Sequence, residues 1–368
     1  MRIQLLWTFY DRYLESFYAA RPALAAQGYA EQLRQLLDDG FGWPPAVGRR
    51  LAELGHDVDI IVANAAPLQR AWAREAGVEF REAGWQLHLP SEQVSRFRPD
   101  VLWIGSNFRY FGAWLRSVRA QCGSVAAWTA APLPASLDLG GIDCMVTSHD
   151  NFVREFRSRG VRCERVLPCF EPSVVAPLGK PARDIPVSFV GSLSWAHGER
   201  IRAMNQVARE TPLQVWSARP PVLSRSAVRP AFWRARWAAR HLLSRSHPEV
   251  YGRDMYEVMT RSQLAVNVHI GVAGGLAGNM RMFEATGCGA LLLTEQAPNL
   301  HELFEPGKEV ASYTSTSDLI ARIRHYLANR DEAAGIAAAG QRRTLADYSA
   351  EARARELEHL FKDLARVT

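Results

Sequence analysis

No window of about 18 apolar residues occurs in the chain, so the sequence predicts no membrane-spanning helix. The opening run M-R-I-Q-L-L-W-T-F-Y-D-R lacks a long apolar core and a small-residue cleavage site, and reads as a first strand rather than a signal peptide. Cysteine is scarce. The five thiols, at Cys122, Cys144, Cys163, Cys169 and Cys288, form no C-x-x-C pair, which disfavours a zinc site or a disulfide framework and suits a reducing cytoplasm. There is no G-x-G-x-x-G for a dinucleotide cofactor, no G-x-x-x-x-G-K-[ST] for a P-loop kinase and no G-x-S-x-G hydrolase elbow. The one D-x-D, Asp57-Val58-Asp59, stands at the start of a predicted strand and not at its end, so it reads as structural and not as a metal clamp. Neither a metal nor a bound cofactor is expected. Internal repeats and low-complexity tracts are absent as well.

What is present is a globular composition: 368 residues, 48% hydrophobic and 22% charged, enough for two domains of ordinary size. Apolar runs alternate with helical stretches. Strands are predicted at Ile3 to Phe9, Val58 to Val62, Val101 to Ile104, Val125 to Trp128 and Met145 to Thr147. Helices are predicted at Tyr29 to Leu37, Ala46 to Leu54, Pro67 to Glu75 and Asn151 to Arg159. The β-branched run Val58 to Val62 suggests a buried parallel strand. Pro172 to Pro186 holds four prolines and a glycine, a linker signature. The pattern then restarts with strands at Val187 to Val190, Leu213 to Trp216, Leu264 to His269 and Ala290 to Thr294. Helices are read at Glu199 to Arg209, Met255 to Arg261 and Met280 to Thr286. Strands separated by helices predict α/β architecture with doubly wound parallel sheets. We read an N-terminal domain over 1–175, a linker over 176–186 and a C-terminal domain over 187–348. A terminal helix over 349–368 packs back on the first domain. A cleft between two such domains is the expected site, outside the carboxyl ends of the strands.

The most informative run is Asn267 to Glu309. It reads strand, glycine-rich loop, helix start, strand and loop. A helix N-terminus presents unpaired N–H groups and a positive dipole end to anions. Arg281 in the first turn adds a forked cation suited to phosphate, and Glu284, three residues on, shares its face and suits a sugar hydroxyl pair. With Asn279 they suggest a site for a nucleoside diphosphate. Asn267 and His269 end the preceding strand on one face by alternation. Gly191-Ser192 forms a strand-to-helix turn, with His197 and Arg200 at the helix start offering a second phosphate contact. Glu302 begins another short helix, and Glu295 ends a strand.

In the first domain, Asp11 follows the first strand and His149 follows the Met145 strand. Each is a candidate general base for an acceptor hydroxyl, and Asp150 is read alternatively as a helix cap. The net charge of +6 is concentrated between Arg219 and His247, where seven arginines occur with no Asp or Glu. Phe232, Trp233, Arg236, Trp237 and Arg240 recur at helical spacing. The segment reads either as a solvated face or as a peripheral contact with an anionic membrane or a lipid-diphosphate acceptor. Nucleic acid is disfavoured because no recognition motif accompanies the charge.

Y-G-R-D-M-Y, N-V-H-I, G-N-M-R-M-F-E-A-T-G-C-G-A-L-L-L-T-E, N-L-H-E-L-F-E-P-G-K-E-V and F-V-G-S-L-S-W-A-H-G-E-R resemble the CgeB-like, group 1 glycosyltransferases of bacteria. F-Y-D-R-Y-L, Y-A-E-Q-L and R-F-R-P-D-V-L-W extend the similarity over nearly the whole chain. The resemblance implies a GT-B fold with two Rossmann-like domains, and a nucleotide-sugar donor held by the second. It implies transfer of a hexosyl-type group to a glycan, lipid-linked or protein acceptor without a bound metal. Arg281 would then neutralise the diphosphate and Glu284 would hold the ribose hydroxyls. Retaining relatives carry a Glu where this chain has Leu276. A sugar-nucleotide epimerase or hydrolase, or a non-catalytic binding protein on the same fold, are the alternatives.

Overall fold

The computed structural model describes residues 1–105, 107–193, 198–218, 239–269 and 274–367. They form two compact units. The first gathers Met1–Glu171 and the C-terminal segment from Tyr348, and the second runs from Pro172 to Gly271 and from Gly275 to Asp347.

The first unit is built on a parallel sheet of six strands: β1 (Arg2–Trp7), β2 (Asp57–Val62), β3 (Val101–Ile104), β4 (Ser124–Trp128), β5 (Cys144–Thr147) and β6 (Cys163–Arg165). Their order is β2-β1-β3-β4-β5-β6. Ile3 stands opposite Val58 on one side and Val101 on the other. β3, β4 and β5 are buried throughout, as short apolar runs covered by helices on both faces must be. β2 departs from the expected fully buried strand. It is the sheet edge, and only Ile60, Ile61 and Val62 are buried. The charge of Asp57 and Asp59 marks its open half, with Gln4 Nε2 donating to Asp59 at 2.7 Å. The terminal helix Ala350–Val367 lies on this unit. Its Phe361 ring meets Trp103 at 5.7 Å, Ser124 Oγ donates to the Leu364 carbonyl at 3.0 Å, and Glu358 pairs with His56 at 2.8 Å.

The second unit repeats the plan with β7 (Ile185–Val190), β8 (Leu213–Trp216), β9 (Ser246–His247), β10 (Ser262–Asn267), β11 (Leu291–Glu295) and β12 (Ala311–Tyr313), ordered β12-β11-β10-β7-β8-β9. β7 begins inside the proline-rich stretch because Ile185 already pairs with Ser262. Before it the chain makes single turns at Pro172–Val174 and Ala176–Leu178. Val187, Val215, Leu264 and Leu291 meet in one core with Leu319, Ile323 and Ile336. Most of the basic segment, 219–238, lies outside the described residues, including the helix expected there. Its remainder forms the Arg240–Ser244 helix, whose first turn is capped by Asn205 Oδ1 at 3.1 Å from the N–H groups of His241 and Leu242.

All five cysteines are buried free thiols. Burial pushes Cys122 up to about 11 and Cys288 up to about 12, so thiolate is scarce at neutral pH. The native protein should resist a thiol-reactive disulfide reagent at pH 7.5. All five groups should titrate once denaturant is added, and prompt native reaction at any of them would contradict this burial.

Candidate functional site

In a doubly wound sheet, ligands bind outside the carboxyl ends of the strands where the strand order reverses. In the second sheet that point falls between β7 and β10. Gly191 and Ser192 leave the end of β7, and Asn267 ends β10. The guanidinium of Arg200, from the Gly198–Glu210 helix, braces both sides. Its Nη2 donates to the His269 carbonyl at 2.9 Å and its Nη1 to the Ser192 carbonyl at 3.4 Å. Two of its donor groups are therefore turned to backbone, which makes it a positioning group for the two loops. The Gly191 N–H likewise goes to the Trp216 carbonyl at 3.1 Å. Ser192 is exposed. His197 lies outside the described residues.

Asn267 is buried, and its side chain exchanges amide hydrogen bonds with Asn279. Asn279 Nδ2 donates to Asn267 Oδ1 at 2.7 Å, Asn267 Nδ2 donates back at 3.2 Å, and it also donates to Thr294 Oγ1 at 3.0 Å. Asn279 is the N-cap residue of the Met280–Gly287 helix, with extended φ and ψ of −75° and 151°. An Asn there normally turns its oxygen onto the first-turn N–H groups. Here it makes no side-chain cap bond, because the amide is turned back onto β10.

Arg281 and Glu284 lie one turn apart on that helix and form an ion pair, Nη1 to Oε2 at 2.8 Å. Glu284 is 3% exposed, and burial pushes its carboxyl up from the ordinary range, against the opposing pull of Arg281 and a hydrogen bond from Tyr256. Arg281 Nη1 also touches the Met255 sulfur at 2.9 Å. These contacts use Nη1, and a guanidinium has further donors on Nε and Nη2 for a second anionic partner.

Alternation predicts His269 on the strand face of Asn267. β10 ends at Asn267, so the pleat does not place it. Glu295 does: its carboxylate accepts from the His269 N–H at 2.6 Å and its carbonyl lies 3.0 Å from the ring Nε2. Glu302 is exposed in the four-residue Leu300–Leu303 helix.

Three contributors escape a reading along the chain. Asn299 clamps the glycine-rich loop, accepting from the Ala277 N–H at 2.8 Å and donating to its carbonyl at 2.9 Å. Tyr313 donates to the Asn267 carbonyl at 2.8 Å, and Tyr256 supports Glu284. All three join segments distant in sequence. The local signals are Y-G-R-D-M-Y, which carries Tyr256, and N-L-H-E-L-F, which opens with Asn299.

In the first unit, Asp11 opens the Asp11–Ala19 helix, exposed, and accepts from Asn64 Nδ2 at 2.9 Å. His149 is the N-cap residue of the Asp150–Ser158 helix and is buried, its ring edge-on to Phe152 at 5.9 Å. Asp150 does not cap that helix. It is the first helical residue and pairs with Arg165 at 3.0 Å. Among the described residues no helix is long and apolar enough to cross a membrane, and no group of three or more His, Cys, Asp or Glu is placed to hold a metal.

Two doubly wound parallel α/β units, the second with a nucleotide-type switch point, are the GT-B fold of glycosyltransferases. Residues 178–359 match the model of a glycosyl transferase-like family, and with the fold this match makes sugar transfer the activity of the chain. The solved sucrose-phosphate synthase of Thermosynechococcus elongatus superposes with a TM-score of 0.60 at 13% identity, over 100% of both chains. Anabaena Alr3699/HepE in complex with UDP-glucose gives 0.60 at 13%, over 99% of this chain and 100% of that one. AviGT4, a glycosyltransferase of avilamycin A biosynthesis, gives 0.58 at 14%, over 100% and 99%. No curated protein matches the sequence.

Proposed function

We propose that the protein is a CgeB-like hexosyltransferase. It moves a sugar from a nucleoside-diphosphate donor to a hydroxyl of a glycan, lipid-linked or protein acceptor. The donor diphosphate lies before the Met280–Gly287 helix, with Arg281 on its oxygens. Glu284 accepts hydrogen bonds from the ribose hydroxyls, and Asn267, Asn279, Gly191, Ser192 and His269 shape the floor. The observation that carries this reading is the N-cap. Asn279 spends its side chain on Asn267 and leaves the first turn uncapped by it, beside an ion pair of half-buried Arg281 and buried Glu284. A helix start without a side-chain cap, next to a forked cation, suits an anion. As the anomeric bond breaks, charge grows on the diphosphate, and these groups stabilise it without reorganising. Asp11 and His149 are the proposed groups for taking the acceptor proton. His197, Arg200 and Glu302 are proposed as outer contacts, and Arg219 to His247 as a peripheral membrane contact.

A thermal-shift panel of UDP-, GDP-, dTDP- and CMP-sugars tests the donor site, with UDP-glucose, the ligand of the Anabaena structure, first. Saturation at about 100 times Kd should add about 2.7 kcal/mol of stability. No shift with any nucleotide sugar would remove the reading.

The buried Glu284 gives a pH signature. Its carboxyl is raised by burial, so protonation begins at a higher pH than for an exposed Glu. Only the carboxylate accepts from both ribose hydroxyls, so donor affinity should fall as pH drops from 7.5 toward 5.5. In Glu284→Gln, affinity should be weak and flat across that range. Titrations by calorimetry in matched buffers check it, and an equal slope in both proteins would separate Glu284 from the ribose.

A further inference from the structure

The switch point of the first sheet falls between β1 and β3, and the loops that leave those strands are tied to one another. Asn107, after β3, donates to Thr8, after β1, at 3.5 Å. From the end of β2, Asn64 grips the same β1 loop three times. It accepts from the Phe9 N–H at 2.9 Å, donates to the Phe9 carbonyl at 2.7 Å and donates to Asp11 at 2.9 Å. On this braced rim stand two exposed aromatic side chains, Tyr10 at 68% and Phe108 at 36%. Tyr10 is buttressed: its ring meets Phe41 edge-on at 5.3 Å, and Phe41 stacks on buried Tyr13 at 4.0 Å and 13°.

An aromatic ring kept in solvent by a packed aromatic support is a prepared face rather than a stray residue. The chemistry around it selects the ligand. Asp11 and Asn107 supply a carboxylate and an amide, the donors and acceptors that hydroxyl groups require. A flat apolar ring beside them suits the C–H face of a sugar. A lipid tail would need continuous aliphatic surface, and these polar side chains interrupt it. We propose that Tyr10, with Phe108 across the joined loops, is a stacking platform for a pyranose ring of the acceptor, and that Asp11 and Asn107 meet its hydroxyls. Naming the pyranose an acceptor rests on the glycosyltransferase reading above, whereas its binding does not. The same ring arrives on a free saccharide or as the headgroup of a lipid-linked one.

Saturation-transfer NMR on the full chain tests it with methyl glucoside, galactoside, mannoside and N-acetylglucosaminide. At least one should bind. Tyr10→Ala should weaken that binding about tenfold, and Tyr10→Phe, which keeps the ring, should restore it. The melting shift given by nucleotide sugars should be the same in all three proteins. In a second arm, phosphatidylcholine vesicles carrying the matching glycolipid should be bound through Tyr10, and bare vesicles should not. The platform is overturned by three results: no pyranoside binds, Tyr10→Ala binds as well as the parent, or bare vesicles bind equally. Failure of every nucleotide sugar, with Tyr10-dependent pyranoside binding intact, instead overturns the donor site and leaves the platform standing. Phe108→Ala offers a second variant should Tyr10→Ala not fold.

Discussion

Arg281→Ala is expected to lower turnover by about 100-fold or more, the scale of removing one donor aimed at transition-state charge. The side chain has two employments in the structure, and the experiment must separate them. It would hold the leaving diphosphate through its outer donors, and it already neutralises Glu284 through Nη1 at 2.8 Å. Cutting one partner from a buried pair strands the other, at a typical cost of about 3 kcal/mol. Glu284 escapes part of this cost by taking a proton, since burial already raises its carboxyl. The single variant should therefore melt earlier as well as turn over slowly. Arg281→Ala with Glu284→Gln removes both charges and should recover most of the melting temperature without recovering turnover. Arg281→Lys keeps a charge but loses the planar fork, and should fall between. Near-normal turnover of a well-folded Arg281→Ala protein would end the phosphate role.

This pair shows what kind of information a sequence carries about a site. Arg281 and Glu284 share a helical face because the helix repeats every 3.6 residues, so their meeting is legible from spacing alone. The same holds for strands such as Val101–Ile104 and Leu213–Trp216, short apolar runs whose bounds follow from burial on both faces. The doubly wound architecture follows from their alternation with helices. Spacing fails where the chain leaves regular structure. His269 is placed by Glu295, and the loop before Asn279 is held by Asn299 from 22 residues away. The reversal of Asn279 onto Asn267 is equally invisible, because an Asn before a helix reads as an ordinary cap. The helix Trp85–Phe97 escapes for another reason: Pro90 lies inside it, where proline ordinarily argues for a break. The edge position of β2 depends on which strand pairs with β1, a choice that the run Val58 to Val62 does not encode. The candidate site therefore divides. Its charged pair is local, and the scaffold that aims the pair is long-range.

The second large effect lies in that scaffold. Gly340→Ala is expected to destabilise the protein by about 3 kcal/mol, at the upper end of overpacking costs. Gly340 sits, buried, in the Arg330–Asp347 helix. A Cβ there would lie 2.2 Å from the carbonyl oxygen of Glu309, a backbone atom with no rotamer to retreat into, and 3.5 Å from Thr286 Cγ2. Relief requires the helix to move, and that helix holds the far end of the Met280–Gly287 helix. Thr344 and Thr286 share a 2.6 Å hydrogen bond, and Gln341 Nε2 donates to the Gly287 carbonyl at 2.9 Å. Displacing it strains the element that carries Arg281 and Glu284, so nucleotide-sugar affinity should fall along with the melting temperature. Gly335 is the internal control. It lies on the same helix, and a methyl group added there would have nothing within 4 Å, so Gly335→Ala meets no obstacle. Helix propensity alone then acts, and that variant should gain up to about 1 kcal/mol. Paired denaturant melts check both. Equal stability of the two alanine variants would show that the close approach of Gly340 to Glu309 does not hold the helices together.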